Sequence, residues 1–143
     1  MEYTITTAAR EFKVKSKFMR TVDKFPNTIN DKYDGQHNQF LITVKHNGIV
    51  RRFSFYGSTA DYNAGIKELT EADTKDAFKC FIEDAISGDM TFDDFCDNMG
   101  YDTDSRIAER IWELCKKALV KAHDLRLNYD DLCEIANDLN ERS

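Results

Sequence analysis

The dipeptide Asn47-Gly48 constrains the fold of this chain more than any other feature. It sits between two β-rich runs in FLITVKHNGIVRRFSFYGS, residues 40 to 58, and Asn-Gly suits the two positive φ angles of a type I′ hairpin turn. With the turn placed there, register follows by counting. His46 faces Ile49, Val44 faces Arg51, Ile42 faces Phe53 and Phe40 faces Phe55, so Phe40, Ile42, Phe53 and Phe55 gather on one face. Another strand is predicted over residues 11 to 18, where Phe12, Val14 and Phe18 alternate with Lys13, Lys15 and Lys17. Between these runs, PNTINDKYDGQHN is rich in turn formers and reads as a long loop from about Pro26 to Asn38.

The apolar sheet face needs cover, and the second half of the chain supplies helices. From Thr70 to Ser87, Ala77, Phe78, Phe81, Ile82, Ala85 and Ile86 form one stripe; Thr70 and Asp73 or Thr74 are candidate caps, and Gly88 stands where a helix would end. A short helix follows, capped by Thr91 and ended by Gly100, with Phe92, Phe95, Cys96 and Met99 inward. A long helix from about Asp104 to Leu125 turns Ile107, Ile111, Leu114, Ala118, Ala122 and Leu125 inward. The last, from about Tyr129 to Asn140, buries Leu132, Ile135, Ala136 and Leu139. Strands followed by helices predict an α+β domain: an N-terminal antiparallel sheet of about three strands packed against about four C-terminal helices.

At 143 residues the chain fits a single domain, 1 to 143, able to bury a core without staples. The four cysteines, Cys80, Cys96, Cys115 and Cys133, match neither a CxxC knuckle nor a close-set disulfide framework, and each falls in a predicted helix as a small, reduced, mostly buried apolar residue. No apolar run approaches the roughly 20 residues of a membrane span, and no N-terminal signal is visible, so a soluble cytoplasmic protein without membrane contact is expected.

Charge divides the chain. Residues 1 to 58 carry ten Lys or Arg and five acids; residues 59 to 143 carry ten against twenty-one, and residues 80 to 105 hold eight acids and no base. GDMTFDDFCDNMGYDTDS, residues 88 to 105, contains six aspartates: Asp89, Asp93, Asp94, Asp97, Asp102 and Asp104. As an EF-hand begun at Asp102 this stretch fails, since Arg106, Ile107 and Glu109 fall where an oxygen ligand, a glycine and an apolar residue belong. Helix N-termini account for Asp93, Asp94, Asp102 and Asp104 but leave Asp89 and Asp97 unexplained. An acidic face selected for a basic partner is the other reading.

In the basic half, Lys13, Lys15 and Lys17 with Arg51, Arg52 and Tyr56 could form a nucleic-acid-binding sheet surface with an aromatic platform. The plainer explanation is that lysines on an exposed strand discourage edge pairing. His37, His46 and His123 lie in no nucleophile motif and are expected at the surface or its boundary. No phosphate-binding glycine loop or zinc-ligand cluster occurs, so no catalytic residue, metal or cofactor is assigned.

Three stretches carry a resemblance: FLITVKHNGIVRRFSFYGS, DAFKCFIEDAISGDMTFDDFC and GYDTDSRIAERIWELCKKA. They resemble a family of small proteins carried by bacterial phages and mobile elements, over about residues 38 to 121, through Phe92, Asp94, Phe95, Cys96, Gly100, Tyr101, Asp102, Asp104, Ser105, Arg106 and Cys115. The resemblance implies a setting and no catalytic residues. Small acidic proteins from that setting include anti-CRISPR and other anti-defence inhibitors, a link at the level of analogy. The leading expectation is a non-enzymatic inhibitor whose acidic face meets a host protein or ribonucleoprotein with a basic surface, such as a CRISPR-Cas effector. A nucleic-acid-binding regulator using the basic β half is the alternative, and an enzyme with an unrecognised site the third.

Overall fold

The computed structural model describes residues 1–23 and 35–141. It is an α+β fold: strands β1 (Glu2–Thr7), β2 (Arg10–Val22), β3 (His37–His46) and β4 (Ile49–Tyr56) precede helices α1 (Thr59–Asn63), α2 (Glu71–Gly88), α3 (Phe92–Met99), α4 (Arg106–Asp124) and α5 (Tyr129–Glu141). No helix among the described residues is long and apolar enough to cross a membrane. Compactness divides the chain inside α2, after Phe78, rather than at the charge boundary near residue 58.

In the first unit, the four strands pair antiparallel in the order β1-β2-β3-β4. The β3–β4 register matches the count from Asn47-Gly48, with Phe40 opposite Phe55, Ile42 opposite Phe53, Val44 opposite Arg51 and His46 opposite Ile49. Asn47 and Gly48 have φ of 51° and 78°. Strand β1 is one more than the sequence predicts, and its turn explains the omission. Thr7 pairs with Arg10 around Ala8 and Ala9, whose φ values of 49° and 61° repeat the hairpin geometry with residues that pay a steric penalty for it. Replacing Ala8 with Asn and Ala9 with Gly is expected to stabilise the protein by roughly 1 to 2 kcal/mol. A higher urea midpoint would register it, and an unchanged midpoint would count against this turn.

One sheet face holds the core of this unit. Ile5, Phe12, Val14, Phe40, Ile42 and Val44 are buried there with Ala77 and Phe78 of α2, and the Phe12 ring lies 4.8 Å from Phe78 and 4.4 Å from His46. His46 is buried, not peripheral as expected, because its ring stacks on Phe12 while Nδ1 donates to the Glu11 carbonyl at 3.0 Å. The long loop expected at 26 to 38 is also revised at its end. His37 and Asn38 belong to β3 and are buried: His37 Nδ1 donates to Gly57 O, and Asn38 donates to Ile66 O while accepting from Thr21 Oγ1. Residues 26–34 of that expected loop lie outside the described residues.

The second unit is helical. Thr91 caps α3 and Ser105 caps α4, each hydroxyl accepting from the amide three residues on. Asn128 and Asp131 cap each other reciprocally at the start of α5, at 2.9 Å in both directions. Thr70 caps α2 as expected, accepting from Asp73 N at 3.1 Å. Gly100, at φ 74°, ends α3 in the left-handed conformation. Gly88 serves differently: it is the buried last residue of α2, and a Cβ there would press on the carbonyl of Cys115 in α4. All four cysteines are free; Cys96 and Cys115 are buried, Cys133 is intermediate and Cys80 is exposed.

Candidate functional site

The aspartate-rich stretch is built around α3. Its inner face is fixed by Phe95 and Cys96, which are buried with Ala108, Ile111 and Cys115 of α4. Phe92 packs 5.4 Å from the Trp112 ring, and Trp112 Nε1 donates to Met90 O at 3.0 Å, tying the α2–α3 turn to α4. Phe95 meets Tyr101 edge-on at 5.8 Å. With that face held inward, helical geometry leaves Asp93, Asp94 and Asp97 outside. All three are exposed, as are Asp89 before the helix and Asp102 and Asp104 after it. Met99, expected inward, is 44% exposed: it ends an eight-residue helix just before the chain reverses at Gly100, and it adds an apolar side chain to an acidic surface.

Local structure explains fewer of these carboxylates than the sequence suggests. Thr91 caps α3 as expected, but Ser105, not Asp104, is the residue that opens the long helix. Asp93 and Asp94 do lie in the first turn of α3, where the helix dipole favours them. Asp102 accepts from Asp104 N at 3.1 Å. Asp97, however, lies in the last turn of α3, where the dipole disfavours an anion, and one helical turn from Asp93, where like charges repel. Among the described residues none of the six makes an ion pair. Their field is felt inside: burial first, and then Asp93, Asp97 and Asp102, push the Cys96 thiol up. Around Asp89 the surface continues to Tyr129, 45% exposed, whose phenol is pushed up first by its hydrogen bond to Cys133, then by the Cys133 charge and burial, with Asp89 and Asp130 adding to it. No group of three or more His, Cys, Asp or Glu among the described residues is arranged to hold a metal ion.

The basic candidates separate differently. Strand pairing places Lys13 opposite Lys45, Lys15 opposite Thr43 and Lys17 opposite Leu41 on the sheet face away from Phe12 and Val14. Arg52, opposite Thr43, and Tyr56, opposite Gln39, share that face. Arg51 does not. It pairs with Val44 and so points to the other side, where its guanidinium donates to Val50 O. Two cations that were not singled out join the group: Lys45, which counting from the hairpin turn could have placed, and Arg20. The latter reaches this face because the register shifts between Phe18 and Arg20, a bulge with no visible sequence signal. Lys13 and Lys45 also line a shallow recess of about 270 Å³ with Glu11, His46, Asn47 and Gly48. No protein-family model matches this chain, and neither a curated protein nor a solved structure does.

Proposed function

We propose that this is a non-enzymatic binding protein of a phage or mobile element that inhibits a host nucleic-acid-guided defence system, CRISPR-Cas being the leading example. Its acidic surface, Asp89, Asp93, Asp94, Asp97, Asp102 and Asp104, would occupy a basic surface of a host protein or ribonucleoprotein in the bacterial cytoplasm. The phage or mobile-element setting comes from the sequence resemblance alone. The acidic-face part rests on one observation above all: Asp97 is exposed, without an ion pair among the described residues, opposed to the dipole of its own helix and one turn from Asp93. A charge placed against local stability is explained by a partner that uses it. Exposed Met99 and Tyr129 offer apolar contacts for such a partner, of the kind that form the energetic centre of interfaces.

Replacing Asp93, Asp94 and Asp97 together by Asn tests this. Loss of two dipole-favoured charges is offset by relief of two unfavourable contacts, so stability should stay within about 0.5 kcal/mol of wild type. Association with a guide-RNA-loaded effector complex, captured from host lysate on the immobilised protein, should slow roughly tenfold or more, with wild-type binding weakening as salt rises. Capture of the same complex at an undiminished rate by the triple variant would remove the acidic face from the proposal.

A further inference from the structure

The open face of the sheet carries a charge arrangement that the fold itself does not need. Lys13, Lys15, Lys17, Arg20, Lys45 and Arg52 are all exposed on it, with Glu2 and Glu11 the acids that share it by register. Among the described residues, none of these six cations makes an ion pair. Protection of a sheet edge does not explain Lys13, Lys15 and Lys45. Lys13 and Lys15 lie where β2 pairs with both β1 and β3, and Lys45 lies on β3 between β2 and β4, whereas protective lysines belong on edges; Lys17 and Arg20, past the end of the β1 pairing, and Arg52 on edge strand β4 do stand at edges. Lys13 and Lys45 are moreover direct cross-strand partners, and like charges directly opposite each other destabilise a sheet.

The geometry points to a binding surface for single-stranded nucleic acid, with these cations contacting successive phosphates. Alternate residues of an antiparallel strand are about 6.8 Å apart, so Lys13, Lys15 and Lys17 form a straight line of evenly repeated charge along β2, suited to a polyanion with a regular repeat. Lys45 and Arg52 widen that line into a band across β3 and β4. At its far end Tyr56 lies half-buried in the same cross-strand row as Arg20, a residue of the type on which bases stack. Among the described residues all six cations lie on strands of the sheet and none on a helix that could enter a duplex groove, which favours a single strand. The chain's net charge of −6 opposes a polyanion overall, and a local patch of six cations can override it. This surface is independent of the acidic face around α3.

A fluorescein-labelled oligo(dT) of about 30 nucleotides, titrated with the full chain over a range of salt, tests the assignment. Wild type should bind at low salt, and Lys13→Gln with Lys45→Gln should weaken binding and reduce the slope of log K against log salt by about 0.7 per lysine removed. Lys75→Gln, the same substitution at a single exposed α2 position and so the control for Lys15→Gln, should leave both unchanged. The double variant should melt no lower than wild type, since a like-charge pair is relieved; Lys15→Gln, with half the slope change, covers the case in which it does. Absence of binding at the lowest salt, or an unaltered slope in the lysine variants, overturns the proposal. So does preference for a duplex of equal length, or self-association abolished by the same variants without oligonucleotide binding, which would assign the face to a second copy of the chain.

Discussion

Gly88→Ala is expected to destabilise the protein by about 3 kcal/mol or more, with a melting temperature lower by on the order of 10 °C. Helix propensity alone says the opposite, because Ala is better than Gly inside a helix by about 1 kcal/mol. Packing decides the sign. The new Cβ would lie against the carbonyl oxygen of Cys115, 2.6 Å from the carbonyl carbon and 2.8 Å from Lys116 N. These are backbone atoms in the middle of α4, so no side chain can swing aside; the two helices must separate where Phe95, Cys96, Ile111 and Cys115 are packed close by. A variant as stable as wild type, or more stable, would show that α2 and α4 do not approach this closely.

Asp84 should make stability fall as pH rises from about 4 to about 6, by up to about 3 kcal/mol. It lies one turn before Gly88 on α2, half-buried, and its charge adds to the burial that pushes the Cys115 thiol up to about 12. Burial, and secondarily the neighbouring Glu83 charge, push its own carboxyl from 3.8 to about 6. The native state therefore holds this proton over a window in which the unfolded chain has released it. Its contribution is fully present below the unfolded value and lost as pH climbs through the folded value. Asp84→Asn keeps the shape without the charge, so it should be more stable than wild type at pH 7 by about 2 kcal/mol and equal to it near pH 4. Urea midpoints of the two proteins across that range give the difference directly, and a difference that does not change with pH would contradict the buried carboxylate.

What could be read from the sequence, and what could not, follows from how each feature is encoded. The β3–β4 hairpin was legible to the residue because Asn47-Gly48 is chemically suited to its turn and a period of two does the rest. Strand β1 was hidden by a turn of the same shape made from Ala8 and Ala9, residues without that preference. Three of the four basic strand residues on β2's open face followed from simple alternation; Arg20 did not, because a bulge changes parity after Phe18. Arg51 and Arg52 are neighbours on the hairpin, but neighbours in a strand point to opposite faces. On α3, periodicity locates the acidic side and Thr91 is its cap as expected, while Ser105, not Asp104, caps α4. Gly88 stands at a helix end, which the sequence shows, but its reason, contact with Cys115, is a tertiary fact that no local pattern contains.

The acidic face is tested most directly by target-DNA cleavage. A purified guide-RNA-loaded CRISPR-Cas effector is assayed with increasing amounts of wild-type protein, at low and raised salt, beside the Asp93→Asn, Asp94→Asn, Asp97→Asn triple variant. Cleavage should be inhibited by the wild type at low salt, less so as salt rises, and only at roughly tenfold or more higher concentration of the triple variant. Equal inhibition by the triple variant, or cleavage untouched by the wild type, would contradict it.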